Sequence, residues 1–143
     1  MIRDDSQAGG LFLDFDWQLG SPGKDCGVNV DNFSVRWTRN IALSSGAYRF
    51  TVTADDGVRL LIDGQERLNR WQDQPLTTHI VDMQLAAGNH RIVLEYYERW
   101  GSAAVKLNWQ PHPCFAAVSA DHWRGEYFNN DVLTGQPAMV RDD

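Results

Sequence analysis

Thr53-Ala54-Asp55-Asp56-Gly57-Val58-Arg59-Leu60-Leu61-Ile62-Asp63-Gly64 holds the end of one strand, a sharp turn and the whole of the next strand. The apolar run Val58 to Ile62 is too short for a buried helix and is bounded by turn residues on both sides, as a core strand is. Working outward, Tyr48-Arg49-Phe50-Thr51-Val52-Thr53 and Phe33-Ser34-Val35-Arg36-Trp37-Thr38-Arg39 alternate apolar and polar residues, the period of a half-buried strand. Further strand patterns follow at Thr77 to Leu85, His90 to Tyr97 and Ala103 to Trp109. Turns containing glycine separate them, at Ser45-Gly46, Asp63-Gly64, Ala87-Gly88-Asn89 and Trp100-Gly101. No segment carries a helical period. The expected fold class is therefore all-β, an antiparallel sandwich or barrel.

Beyond this block the chain repeats itself. Ile2-Arg3-Asp4-Asp5 returns as Val140-Arg141-Asp142-Asp143, 138 positions later, which reads as one register of a repeating array. The Pro-bearing stretch after Trp109 marks a junction. Residues 1–110 are expected to form the body of one domain, 111–120 a linker, and 121–143 a strand segment that completes the same domain or a neighbouring one. A body without that strand would expose a sheet edge, which must be filled from its own chain or by strand exchange with the next.

A net charge of −6 without any basic run lacks the positive footprint of a nucleic-acid binder. No apolar stretch is long enough to insert in a membrane as a helix, and Met1-Ile2-Arg3-Asp4-Asp5 is unlike a signal peptide. Cys26 and Cys114 are the minimum for one disulfide, and a bridge between them and two independent buried thiols both remain open. His79, His90, His112 and His122 are scattered along the chain and form no zinc-type spacing.

The acid pair Asp55-Asp56 concentrates negative charge at a strand end. Two readings remain open: a hard cation such as calcium held by carboxylate and carbonyl oxygens, or side chains that cap the turn by accepting backbone N–H bonds. Trp71, Trp100 and Trp17 fall in turn-rich segments, where an indole face can pack on a pyranose. Trp37, Trp109 and Trp123 sit in strand patterns and are read as core. Glu95 with Glu98, or Asp14 with Asp16, would be the carboxylate pairs of a glycosidase. Nothing else in the sequence supports catalysis, and a non-enzyme is expected.

The ordered set of blocks Asp31-Asn32-Phe33-Ser34-Val35-Arg36-Trp37, Gly46-Ala47-Tyr48-Arg49-Phe50, Asp55-Asp56-Gly57-Val58-Arg59-Leu60, Asp63-Gly64, Gly88-Asn89-His90 and Glu95-Tyr96-Tyr97-Glu98 resembles the protective-antigen domain family, named for a fragment of the anthrax toxin. The tail Trp123-Arg124-Gly125-Glu126-Tyr127-Phe128-Asn129-Asn130 looks like that family's usual first strand, here placed last, as in a circular permutation or a shifted frame of a tandem array. The resemblance implies a β-sandwich with the C-terminal segment as its first strand. It also implies calcium at Asp55 and Asp56, completed by Glu98 or backbone carbonyls, with Trp71, Arg99 and Trp100 contacting a ligand. The family's lectins commonly supply an asparagine in the loop that here reads Glu98-Arg99-Trp100-Gly101, and this sequence has none. The expected function is an extracellular, calcium-dependent adhesion or carbohydrate-binding module whose partner is a glycan. The alternative is a structural unit of a surface stalk or filament, partnered by neighbouring repeats.

Overall fold

The computed structural model describes residues 12–112, 114, 120–135 and 137–143. Strand β1 spans Leu13–Gln18, β2 Phe33–Leu43, β3 Gly46–Ala54, β4 Gly57–Ile62 and β5 Gln65–Arg70. They are followed by β6 at Thr77–Leu85, β7 at Gly88–Glu98, β8 at Ala103–Pro111, β9 at Arg124–Tyr127 and β10 at Met139–Asp142. A 3₁₀ turn at Lys24–Cys26 is the one helical element among the described residues. Two four-stranded sheets, ordered β1-β8-β3-β6 and β2-β7-β4-β5, are antiparallel throughout.

Alternation dictates the layering. In β3, Tyr48, Phe50, Val52 and Ala54 are buried while the intervening Arg49, Thr51 and Thr53 face outward. Val58, Leu60 and Ile62 of β4 and Ile92, Leu94 and Tyr96 of β7 meet them from the opposite sheet in one hydrophobic cluster. Each large aliphatic or aromatic side chain buried there contributes about 1.5–3 kcal/mol of transfer free energy. Phe15 and Trp17 of β1 stack on each other and on Trp37 of β2, closing the open side of the sandwich. Trp17 thus belongs to a strand and partly to the core, correcting its placement in a turn.

Strand β1 occupies the edge beside β8, with Leu13 opposite Leu107 and Gln18 opposite Ala103. The C-terminal segment does not take a place in either large sheet. Among the described residues β9 and β10 pair only with each other, as a separate two-stranded sheet. The expectation that this segment supplies the sandwich's first strand is corrected in that respect, because β1, with its own strict alternation Leu-Asp-Phe-Asp-Trp-Gln, fills the edge. The hairpin is anchored by a bond from the Val140 N–H to the Cys114 carbonyl, 2.8 Å, and Val140 is buried. Trp123, expected in the core, is 83% exposed. Ile2–Asp5 and most of the expected linker, including 115–119, lie outside the described residues.

Cys26 and Cys114 are both free and exposed, which corrects the candidate disulfide and the buried-thiol reading together. Each sits in its own local turn. The Cys26 N–H bonds the Gly23 carbonyl, 2.9 Å, and the Cys114 N–H bonds His112 Nδ1, 3.1 Å.

Candidate functional site

At one end of the sandwich the chain crosses between the sheets four times, and the two shortest crossings, between β3 and β4 and between β7 and β8, lie side by side. Strand β3 ends at Ala54 in one sheet and β4 begins at Gly57 in the other, so Asp55 and Asp56 alone make the crossing. Arg99 to Ser102 make the return crossing, from β7 to β8. The crossings are locked together and to the loops beside them. The Arg99 N–H donates to Asp56 Oδ2 at 2.8 Å, the Asp55 N–H to the Ala104 carbonyl at 3.0 Å and the Asn32 N–H to the Arg99 carbonyl at 3.2 Å. The Gly101 N–H reaches Asp31 Oδ1 at 3.2 Å. Gln74 grips the Asp56 backbone from both sides, its carbonyl accepting the Asp56 N–H at 2.8 Å and its amide donating to the Asp56 carbonyl at 2.9 Å.

The order Asp-Asp-Gly follows from this geometry. Asp56 adopts a left-handed φ of 61°, which an aspartate tolerates better than most residues. Gly57 faces the ring of Tyr97 so closely that a Cβ there would lie within 1.9 Å of its Cε1. Asp56 does accept a backbone N–H, as the capping reading expects, but the donor belongs to the opposite crossing rather than to its own turn.

Beneath the crossings lies a further acid. Glu98, at the end of β7, is 1% exposed. Its Oε2 accepts the Tyr96 hydroxyl at 2.8 Å, and its Oε1 is buried with no hydrogen-bond partner. Burial pushes the Glu98 carboxyl up to about 7 against the pull of the Tyr96 bond, and the charges of Asp56, Asp55 and Asp31 add to the rise. Asp55 is raised as well, by burial first and then by Asp56. Burial and the bond to Glu98 raise the Tyr96 phenol. Such a concentration of buried negative charge with an orphaned carboxylate oxygen suits a hard cation. Among the described residues no group of three His, Cys, Asp or Glu side chains is drawn together as a ready metal cage. Asp55 and Asp56 are the two acids that the crossing places at this end of the sandwich, above buried Glu98.

The aromatic flank is more fully assembled. Trp71, just beyond β5, is 39% exposed. The Arg59 guanidinium lies 4.1 Å from its ring centroid, and the Tyr97 ring meets it edge-on at 4.8 Å. The Tyr97 hydroxyl donates to Asp73 Oδ1 at 2.6 Å, and burial together with that bond pushes the phenol up to about 12. Asp73 Oδ2 pairs with Arg99 Nη1 at 3.1 Å, and the Arg99 guanidinium lies 5.5 Å from the ring of Trp100. Asp56, Trp71, Arg99 and Trp100, all proposed from sequence, are thus linked at one end of the molecule. Tyr97, Asp73, Arg59 and Gln74 were missed. The pairing of Gly57 with Tyr97 is the cue that would have brought Tyr97 in.

The PA14 domain family model matches residues 14–113. The anti-sigma-I factor RsgI3 of Acetivibrio thermocellus is 39% identical over 99 residues, which are 68% of this chain and 15% of that protein. An anti-sigma factor domain-containing protein from Clostridium clariflavum superposes with a TM-score of 0.62 at 30% identity, over 94% of this chain and 52% of that one. A PA14 sugar-binding domain from an RTX adhesin superposes with a TM-score of 0.55 at 25% identity, over 70% and 69% of the respective chains. This chain therefore spans only a small part of the curated relative and about half of the solved anti-sigma protein. With the family model covering the whole sandwich, strand by strand from β1 to β8, the chain belongs to the PA14 domain family.

Proposed function

We propose that the chain is a non-catalytic carbohydrate-binding module, used in adhesion or glycan sensing, whose ligand sits at the crossing-loop end in a calcium-dependent manner. The observation that carries this reading is the convergence of the Asp55-Asp56 crossing with two exposed tryptophans, Trp71 and Trp100, on one end of the sandwich. In the mechanism, Asp55 and Asp56 hold the ion and Glu98 supplies inner negative charge. Arg99 presents N–H donors to sugar hydroxyls, and the indoles pack on the apolar face of a pyranose. Calcium, when bound, supplies a hard centre that sugar hydroxyls can share. The likeness to the PA14 sugar-binding domain of an RTX adhesin supports the glycan class. An extracellular or cell-surface placement follows from the reading, since weak calcium sites fill where calcium is abundant.

The acid geometry supports a non-catalytic reading. Glu95 and Glu98 lie on opposite faces of β7, Glu95 outward between Arg36 and Arg59 and Glu98 inward. Asp14 is paired with Lys106, and Asp16 accepts the Gln18 N–H. For relatives named as anti-sigma factors, the aligned stretch is one part of a longer protein, and we assign this module the ligand-contacting part only.

Calorimetric titration with calcium, alone and with a panel of simple sugars, tests the proposal. Calcium binding coupled to a sugar, and lost in both Asp55→Asn and Asp56→Asn, is expected. Heats that are absent, or unchanged in both variants, sink the metal role. One observation favours a second reading, a structural repeat unit: the β9-β10 hairpin joins neither large sheet, and Trp123 is left exposed. There the hairpin docks on a neighbouring unit of the same protein. Concentration-dependent sedimentation that Trp123→Ala abolishes would support it, and a monomer at all concentrations would not.

A further inference from the structure

Each large sheet has two edge strands, and three of the four are guarded. Strand β1 is short, bulged between Asp16 and Gln18, and turns Asp14 and Asp16 outward. Strand β5 is equally short, bulged opposite Leu60 and Leu61, and carries Glu66, Arg67 and Arg70. Strand β2 is long but bears Arg36 and Arg39. Charges, bulges and brevity are the devices that keep an edge from pairing with a foreign strand. Strand β6 lacks them. Its nine residues run in unbroken register with β3 and, among the described residues, meet no strand on the other side. Its one acid, Asp82, is already held by Arg49 through two bonds of 2.8 and 2.7 Å. The same stretch leaves two large apolar side chains in solvent, Ile80 and, just before the strand, Leu76, each 56% exposed.

Such an edge is a template for one more strand, and its own sequence fits it. When a second β6 is laid antiparallel to the first with Ile80 against Ile80, residues opposite each other share a face of the sheet. On the outer face Ile80 packs on Ile80 and Thr78 meets Asp82, so no two like charges oppose. On the inner face His79 meets Val81 and Thr77 meets Met83, and the half-buried Val81 and Met83 gain cover at the open side of the sandwich. We propose that the chain pairs with a second copy of itself through β6, joining two four-stranded sheets into one of eight. The two-fold axis passes between the two Ile80 side chains. Pairing occupies the free edge of both copies, and the remaining edges are guarded, so assembly closes at two. Strand β6 begins at the crossing-loop end, with Thr77 opposite Ala54, so antiparallel pairing sends the two crossing-loop ends to opposite poles. Whatever those ends bind, the dimer bridges two partners, where a parallel pair would clasp one.

The test is sedimentation velocity of the full chain over about a hundredfold range of concentration, beside Ile80→Lys, Ile80→Glu and their equimolar mixture. Wild type should pass reversibly from monomer to dimer as concentration rises. Either variant alone sets two like charges directly opposite at the axis and should associate at least about tenfold more weakly. The mixture sets an ammonium against a carboxylate and should recover the dimer. Ile80 points into solvent in the single copy, so both variants should melt as wild type does in dilute solution, followed by circular dichroism. A wild type that stays monomeric throughout, or a dimer that survives Ile80→Lys unchanged, overturns the pairing. Failure of the mixture to associate overturns it as well. Association lost in Trp123→Ala but kept in Ile80→Lys overturns it in favour of the hairpin contact described above. None of these outcomes bears on the carbohydrate-binding reading, which rests on other residues.

Discussion

Replacing Glu98 with glutamine isolates the cost of the buried acid. In the folded chain its carboxyl is pushed from an ordinary 4.5 up to about 7. Unfolded chains release that proton near the ordinary value, so between the two the native state binds more protons and stability falls as pH rises. At about 1.4 kcal/mol per pH unit of displacement, the ionised carboxylate costs the fold about 3 kcal/mol above neutral pH. Glutamine keeps an oxygen for the Tyr96 hydroxyl but places an unpaired amide where Oε1 lies, a loss of about 1 kcal/mol. Glu98→Gln should therefore be more stable than wild type at pH 8 by about 2 kcal/mol, and slightly less stable at pH 4.5. The assay is urea unfolding followed by tryptophan fluorescence across that range, with chelator present. A variant whose stability parallels wild type at every pH would refute the reasoning, since the slope would then belong to other groups.

Gly57→Ala should displace the Tyr97 ring, because the added Cβ falls within 1.9 Å of it. Overpacking of this kind costs about 1–3 kcal/mol, and wild-type thermal melting of the variant would count against the contact. His90 donates to Asp63 Oδ2 at 2.6 Å and to the Ala86 carbonyl at 2.9 Å, and the Asp63 bond chiefly raises its pKa. The resulting stabilisation is complete below the ordinary 6.5 and is lost as pH rises through the folded value. An NMR titration placing His90 at or below the ordinary value would contradict this. Deleting 121–143 should leave a cooperatively melting sandwich, since the hairpin supplies no strand to either sheet. Loss of a cooperative melt, followed by circular dichroism, would show that the segment is integral after all.

Most of the sandwich was legible because its central strands alternate cleanly. Strand β5 was not, since Gln-Glu-Arg-Leu-Asn-Arg is an edge strand with only Leu68 turned inward, and a polar edge carries almost no periodic signal. Trp17 was misread because the turn-forming stretch Gly20-Ser21-Pro22-Gly23 follows it closely, while the strand itself runs on to Gln18. The acid pair could be found by adjacency. Glu98 was found through the resemblance; the alternation of β7 puts it on the face of Leu94 and Tyr96, but that this face stays covered at the strand's very end is set by the packing of the crossing loops. Tyr97 and Asp73 come to the site through cross-strand register and a loop hydrogen bond, both set by tertiary geometry. Exposure of Cys114 and of Trp123 depends on where the C-terminal hairpin goes, which strand propensity leaves open, while Cys26 sits in a local 3₁₀ turn outside both sheets.

The antiparallel pairing of β1 with β8 has a mechanical consequence. Gln18 faces Ala103 next to the crossing loops, while Leu13 and Pro111 lie toward the opposite pole. Tension applied at these two points would therefore peel β1 from β8 one rung at a time, beginning at Leu13, instead of shearing every rung at once. The load path starts at the pole remote from Asp55, Asp56 and Arg99. A module pulled between those two points would yield first at that pole, with the crossing loops disturbed last.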